Sequence, residues 1–67
     1  MNMEKEFLYK AGDLLQDTAG DLVLVEDAAY NPMSTVPWHY KVRELQGATY
    51  HVGKGTLENT DLFKKVA

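Results

Sequence analysis

Residues 37–52, Pro-Trp-His-Tyr-Lys-Val-Arg-Glu-Leu-Gln-Gly-Ala-Thr-Tyr-His-Val, limit the possible folds of this chain more than any other segment. Apolar side chains recur at every second position before and after a Gln-Gly pair, a pattern typical of two half-buried antiparallel strands. A two-residue turn at Gln46-Gly47 would put the two apolar sets on opposite faces of the hairpin. A three-residue loop over 45–47 puts both sets on one face, and Gly47 then takes the left-handed position that this loop requires. The sequence therefore predicts a hairpin with the longer loop.

This loop fixes which residues lie opposite each other in the hairpin. Val42 is predicted to lie opposite Tyr50, and Tyr40 opposite Val52, with all four side chains on the inward face. We expect both tyrosine rings to belong to the core and their hydroxyl groups to reach the ends of the sheet.

Two histidines, His39 and His51, fall on the outward face of the same two strands. In the predicted register they lie diagonal to each other, and Lys41 lies directly opposite His51. Two imidazoles without a third ligand nearby make a weak metal site. We therefore interpret them as surface residues and predict no metal site.

The rest of the chain shows short apolar runs and turn residues but no sustained helical period. Asp17 and Gly20 are typical of a tight turn between the first two strands. Thr56 is positioned to cap one helical turn within 56–61. The sequence thus predicts strands at 12–16, 21–28 and 62–66, a turn at 17–20, and a loop at 29–37.

Five short strands in 67 residues predict a strongly twisted antiparallel sheet rolled into a small barrel. The layout resembles the SH3-like small barrels, the class that includes SH3, Tudor and KOW-type domains. The resemblance covers 7–66: 12–26 is similar to the opening hairpin, 37–52 to the distal hairpin, and 62–66 to the last strand. It implies an all-β, five-stranded antiparallel SH3-like barrel with one short helical turn before the last strand. We interpret 7–66 as a single domain of this kind and 1–6 as a lead-in that need not be ordered.

The sequence also restricts where the protein functions. It contains no cysteine, which excludes disulfides and thiolate metal sites. No run approaches the ~20 apolar residues of a membrane-spanning helix, and residues 1–10 are too charged for a secretory signal. We therefore expect a cytoplasmic protein without a membrane partner.

Catalysis has little support in the sequence. A glycine-rich phosphate loop and a Gly-x-Ser-x-Gly elbow are both missing, and Ser34 has no base beside it in the sequence. A chain of this length is also too short for a deep pocket that excludes water. We predict a binding protein that is not an enzyme and needs no cofactor.

Aromatic residues around the 29–37 loop suggest a protein- or peptide-interaction module. Tyr30, Trp38 and Tyr9 are candidates for an open aromatic platform that binds an extended peptide or a cationic group. Asp27 and the other acidic residues of the first half favour a basic peptide, in a chain whose formal net charge is −3. Our first hypothesis is therefore a module that binds another protein or a peptide through Tyr30, Trp38, Tyr9 and Asp27.

Basic residues support an alternative. Lys41, Arg43, Lys64 and Lys65 form one basic face if the last strand lies near the hairpin, and such a face can contact phosphates. This would make the chain a KOW-like nucleic-acid-binding barrel. A third hypothesis is a small accessory or inhibitor protein of a mobile element.

Overall fold

The computed structural model of the chain describes residues 7–67, so the predicted lead-in at 1–6 lies outside the described residues. The described part is built from short strands and a single helical turn. In chain order, the elements are β1 (Leu14–Asp17), β2 (Leu22–Tyr30), β3 (Trp38–Glu44), β4 (Thr49–Gly53), α1 (Lys54–Leu57) and β5 (Phe63–Lys65).

All five strands belong to one antiparallel sheet with the order β4-β3-β2-β1-β5. Strands β1 to β4 form a meander in which each strand pairs with the next one along the chain. The last strand returns to pair with β1, where Gln16 lies opposite Lys64. The predicted five-stranded antiparallel sheet is confirmed, as is a short helix before the last strand. Observed strand ends differ by one or two residues from the predicted ranges 12–16, 21–28 and 62–66.

The β3–β4 hairpin has the predicted register. Val42 lies opposite Tyr50, and Tyr40 lies opposite Val52. Gly47 has a φ of 109° and donates its N–H to the Glu44 carbonyl oxygen at 2.8 Å. This left-handed residue closes the three-residue loop, so the turn chemistry and the apolar alternation specify the same pairing.

The β1–β2 turn is held by the side chain that begins it. The Asp17 carboxylate accepts hydrogen bonds from the backbone N–H groups of Ala19 and Asp21, both at 2.9 Å. Gly20 follows with a φ of 89°, a left-handed conformation that glycine adopts at little cost. The predicted turn at 17–20 is confirmed.

A β-bulge in β2 changes which of its side chains face inward. The pairing with β3 shifts between Val25 and Asp27. Val25 lies opposite the buried Val42 before the bulge, whereas Tyr30 lies opposite Trp38 after it. The extra residue moves the inward phase from odd to even numbers and bends the strand. Strand β2 therefore reaches Tyr30, where the sequence predicted a loop from residue 29.

The helical turn begins earlier than predicted. Helix α1 follows directly on β4, its N-cap residue is Gly53, and no side chain caps it. Thr56 lies inside the helix, so its predicted role as a cap is wrong. The position of the turn follows from packing, because Leu57 is fully buried and Glu58 at the C-cap faces the core tyrosine Tyr40.

The core lies on one face of the sheet, against α1 and the segment before β1. Strands β1, β2 and β3 supply most of its side chains, and partly buried residues such as Phe63 pack around it. The buried hydrophobic residues are Tyr9, Leu15, Val23, Val25, Tyr40, Val42 and Leu57.

The two hairpin tyrosines differ in burial. Tyr40 is fully buried, as predicted, but Tyr50 is 38% exposed, so its assignment to the core is wrong. Tyr50 lies opposite the buried Val42 and therefore points to the inward face. Its strand is the last in the hydrogen-bonded order of the described residues, so the ring is open to solvent on one side.

The hairpin register predicts how two glycines respond to alanine. At Gly47 a Cβ meets no atom within 4 Å, so only the positive φ opposes it, and Gly47→Ala should lower the free energy of unfolding by about 1–2 kcal/mol. Gly55 in α1 also has open space around it but no positive φ. Gly55→Ala should raise the free energy of unfolding by up to about 1 kcal/mol. Chemical denaturation of both variants measures the difference, and equal effects would contradict this account of the turn.

Candidate partner-binding surface

An aromatic cluster lies where β2 ends and β3 begins. The rings of Tyr30 and Trp38 have centroids 4.4 Å apart. Phe7 packs against the other side of this pair, 5.4 Å from Trp38 and 5.3 Å from Tyr40 in an edge-to-face arrangement. Tyr30 is 40% exposed and Trp38 is partly buried. The predicted pairing of Tyr30 with Trp38 in a half-open aromatic platform therefore has a geometric basis, and Phe7 completes it.

Tyr9 does not belong to this platform, and its predicted role as an exposed binding residue is wrong. Its side chain is only 6% exposed and packs in the core. Its backbone N–H donates to the Tyr40 hydroxyl at 3.1 Å, and the two rings lie 6.0 Å apart. Burial, followed by the carboxylates of Glu58 and Asp13, raises the pKa of Tyr9. Phe7, two residues earlier, also lies against Tyr40, but its ring reaches Trp38 as well.

The segment that carries Phe7 is tied down by Glu58. The Glu58 carboxylate accepts hydrogen bonds from the Leu8 backbone N–H at 2.9 Å and from Lys54 Nζ at 2.9 Å. It also accepts a short hydrogen bond from the Tyr40 hydroxyl. One carboxylate thus joins the segment before β1, the centre of β3 and helix α1. No signal in the sequence points to the role of Glu58, because two of its three partners, Tyr40 and Leu8, lie 18 and 50 residues away.

The charge states of this network are well defined. Burial by itself raises the pKa of Glu58, but the hydrogen bonds from Leu8, Tyr40 and Lys54 outweigh burial and hold that pKa below its usual value. Burial, and then the hydrogen bond to Glu58, raise the pKa of Tyr40 well above the usual value. At neutral pH the tyrosine is therefore the donor and the ionised carboxylate is the acceptor.

The 31–37 loop forms a shallow groove with β4. The contact is close, because a Cβ on Gly53 would lie 3.1 Å from Val36 Cγ1. The groove has a volume of about 380 Å³. It is lined by Asn31, Ser34, Val36, His39, His51, Val52 and Gly53.

The chain segments that line the groove carry no formally charged side chains. Residues 28–40 and 45–53 contain no Asp, Glu, Lys or Arg. They nevertheless hold most of the large hydrophobic side chains that are exposed, including Met33 at 91% and Val36 at 48%. We name residues 30–38 and 49–53 together the neutral surface. The sequence shows two uncharged segments on either side of the basic strand residues 41–43. It does not show that the two segments contact each other in the fold.

Asp27 lies at the margin of the platform. It is exposed on β2, directly after the bulge, and its carboxylate accepts the N–H of Ala28 at 2.9 Å. With Phe7 and Lys10 it contributes to a small depression of about 230 Å³. Asp27 is therefore near the aromatic platform because it lies beside Phe7, the third ring of that platform.

The basic residues do not follow the arrangement on which the alternative hypothesis depends. Lys41 and Arg43 lie on β3, whereas Lys64 and Lys65 lie on β5, and both β2 and β1 separate these strands in the sheet. The last strand is therefore not a hydrogen-bonded neighbour of the hairpin, and the strand order does not place the four basic residues on adjacent strands. The Arg43 side chain also pairs with Glu26 at 3.3 Å. Lys65 pairs with Asp13 at 3.5 Å.

The rings of His39 and His51 lie next to each other on the sheet surface. Their centroids are 5.5 Å apart, and His39 Nδ1 lies 3.2 Å from the Val36 carbonyl oxygen. Within 7–67 no three residues of the types His, Cys, Asp and Glu are grouped so that they could hold a metal ion.

Comparison with protein-family models, with curated proteins and with solved structures found no match to this chain. Among residues 7–67 no helix has the length and apolar character needed to cross a membrane.

The Glu58 network predicts a specific loss of stability in acid. Because the pKa of Glu58 is lowered in the folded chain, its contribution is complete above the usual glutamate pKa of about 4.3 and is lost as pH falls through the folded value. Glu58→Gln should cost about 1–3 kcal/mol at neutral pH and remove part of this acid dependence. Denaturant titrations between pH 7 and pH 3 measure both effects.

Glu26→Gln is the matched control for this prediction. Its carboxylate pairs with Arg43, whose side chain is 50% exposed, and such surface pairs contribute about 0–1 kcal/mol. Equal losses in the two variants, or an unchanged acid dependence in Glu58→Gln, would contradict the role assigned to Glu58.

Proposed function

We propose that this chain is a non-enzymatic binding module that recognises a segment of another protein on the neutral surface. The observation that carries this proposal is the half-exposed Tyr30–Trp38 pair, with ring centroids 4.4 Å apart, next to a charge-free loop in which Met33 is 91% exposed. Cores of protein interfaces are depleted in charge and enriched in aromatic residues and methionine. A contiguous exposed apolar patch on a small protein typically marks an interaction site.

We also propose that the sheet curls into an SH3-like small barrel. The strand order, with β5 returning to β1, and the bulge in β2 support such curvature. Burial, and then the carboxylates of Glu44 and Asp17, raise the pKa of Tyr50. Asp17 lies on β1 and Tyr50 on β4, with β2 and β3 between them in the sheet, so an electrostatic interaction between the two favours a curled sheet over a flat one.

The chemistry of the surface indicates what kind of segment it accepts. An apolar or aromatic side chain fits against Tyr30 and Trp38, since two closely packed rings offer a large contact area at low cost in side-chain entropy. Asp27 is exposed beside Phe7, its cross-strand neighbour is Lys41, and the described residues provide it with no ion pair within 4 Å. A basic residue a few positions from the apolar anchor would be complementary to Asp27. The proposed ligand is therefore an extended peptide with one apolar anchor and one Lys or Arg.

The charge distribution gives less support to nucleic-acid binding. Phosphate contacts dominate that affinity, and they require cations that are free to leave their own partners. Arg43 and Lys65 both lie next to carboxylates, and the chain carries a net charge of −3. We therefore propose a protein or peptide as the partner.

A peptide selection on the folded chain tests the proposal. Peptides displayed on phage are selected against the chain, and the best binder is titrated while backbone amide chemical shifts are followed. We expect shifts at Tyr30, Met33 and Trp38, and a ligand with an apolar anchor beside a basic residue. Tyr30→Ser should weaken binding by about 2 kcal/mol, roughly thirtyfold, because anchor contacts at the centre of an interface dominate its energy.

Leu62→Ser is the matched control. Leu62 is 41% exposed, like Tyr30, but it precedes β5 at the opposite edge of the sheet. This variant should bind the peptide normally. The proposal fails if selected peptides shift residues elsewhere than the neutral surface and its neighbours Phe7 and Asp27. It also fails if single-stranded RNA shifts Lys41 and Arg43 with an affinity that falls steeply as salt rises.

A further inference from the structure

The two ends of the sheet differ in how they are protected against pairing with another strand. Strand β5 has three residues, and two of them are lysines. Strand β4 has five residues, Thr-Tyr-His-Val-Gly, with neither proline nor formal charge. Lysines, prolines and short length are the common devices that prevent edge-to-edge association. Strand β4 contains neither lysine nor proline, and it is two residues longer than β5.

The hairpin register shows which backbone groups of β4 face its open side. Glu44 donates its N–H to the Ala48 carbonyl oxygen at 2.8 Å, so this pair is hydrogen bonded. Hydrogen-bonded and non-hydrogen-bonded pairs alternate along an antiparallel ladder. Tyr50 and Val52 therefore bond to β3, whereas the N–H groups of Thr49, His51 and Gly53 point away from it.

We propose that two copies of this chain associate by pairing their β4 strands antiparallel about a two-fold axis at His51. This register gives the longest overlap of the strand with itself, because Thr49 of one copy lies opposite Gly53 of the other. It also brings outward-facing backbone groups together on both sides of the axis. The two sheets then continue as one sheet of ten strands.

The side chains of β4 are complementary in this register. Tyr50 lies opposite Val52 of the second copy in a non-hydrogen-bonded pair, where cross-strand side chains approach most closely. Pairs of an aromatic and a β-branched side chain are favourable in that position. The pairing therefore covers the inward-facing ring of Tyr50, which a single copy leaves 38% exposed.

Charge also favours a second copy as the occupant of this edge. The chain repels itself through its net charge of −3, but β4 and the hairpin loop 45–47 carry no formal charge. The two strands can therefore meet without placing like charges opposite each other. A five-residue edge is short, so we expect association that is weak and dependent on concentration. Residues 49–53 also belong to the neutral surface, but the inference does not rest on the proposed function, since it uses the backbone of β4 and not the Tyr30–Trp38 pair.

Sedimentation velocity of the full chain over a range of concentrations tests this inference. We expect a reversible shift from monomer to dimer as concentration rises. Amide resonances of 49–53 should move with the dimer fraction, and the His51 amide should exchange more slowly at high concentration. A chain that stays monomeric at millimolar concentration would overturn the inference.

Two substitutions at His51 separate edge pairing from other modes of association. His51→Pro removes an N–H that faces the open side, a position where an edge strand tolerates proline, and it should weaken association at least about tenfold. His51→Lys places two ammonium groups opposite each other across the axis and should also weaken association without removing a backbone donor. Thr60→Lys makes the same charge change on the exposed stretch before β5 and should associate like the parent chain.

The results of these association experiments can be separated from the results of the peptide-binding experiments. If both His51 variants fold, as judged by their amide spectra, and still dimerise like the parent chain, β4 pairing is wrong. If His51→Pro does not fold, the result for His51→Lys decides. Tyr30→Ser should leave self-association unchanged, so failure of the peptide-binding proposal would not affect this result.

Discussion

The short hydrogen bond from the buried Tyr40 hydroxyl to the Glu58 carboxylate is the contact on which the rest of this structure depends. It joins the centre of β3 to the end of α1, and the same two groups receive the backbone N–H donors of Tyr9 and Leu8. Those two bonds hold the segment before β1 across the end of the core, which sets Phe7 beside the aromatic pair. A domain of this size buries a smaller share of its surface than a larger domain does, so one well-satisfied polar network can decide whether a terminal segment is ordered.

The surface that results is divided by charge. The ion pair of Arg43 with Glu26 joins β3 to β2, and that of Lys65 joins β5 to Asp13, just before β1. Residues 28–40 and 45–53, by contrast, carry no formal charge. The uncharged part of the surface has two different features that suit binding. Exposed side chains surround the start of β3, and along β4 the backbone groups that point away from β3 have no strand partner among residues 7–67. The first suits a peptide side chain, and the second suits another strand, so the two proposed interactions make separate demands on the chain.

The sequence was sufficient where local chemistry decides the structure. Apolar alternation together with Gly47 predicted the β3–β4 register, because a one-residue slip would turn every side chain to the other face. It was insufficient where distant contacts decide. Tyr9 and Phe7 are both aromatic and two residues apart, and only contacts with distant residues such as Tyr40 distinguish the buried Tyr9 from the partly buried Phe7. The start of α1 follows from the burial of Leu57 and not from a capping side chain. Likewise, the pairing of β5 with β1, which divides the basic residues, has no local signal.

Amide hydrogen exchange of Tyr9 tests most directly whether the Tyr40 hydroxyl holds the segment before β1 in place. In the parent chain the Tyr9 N–H should be protected nearly as well as the core amide of Val42, because its opening requires the buried network to break. In Tyr40→Phe this protection should fall by at least about tenfold more than that of Val42, since the acceptor is lost while the ring remains. A Tyr9 amide that exchanges as fast in the parent chain as in the variant would contradict the account.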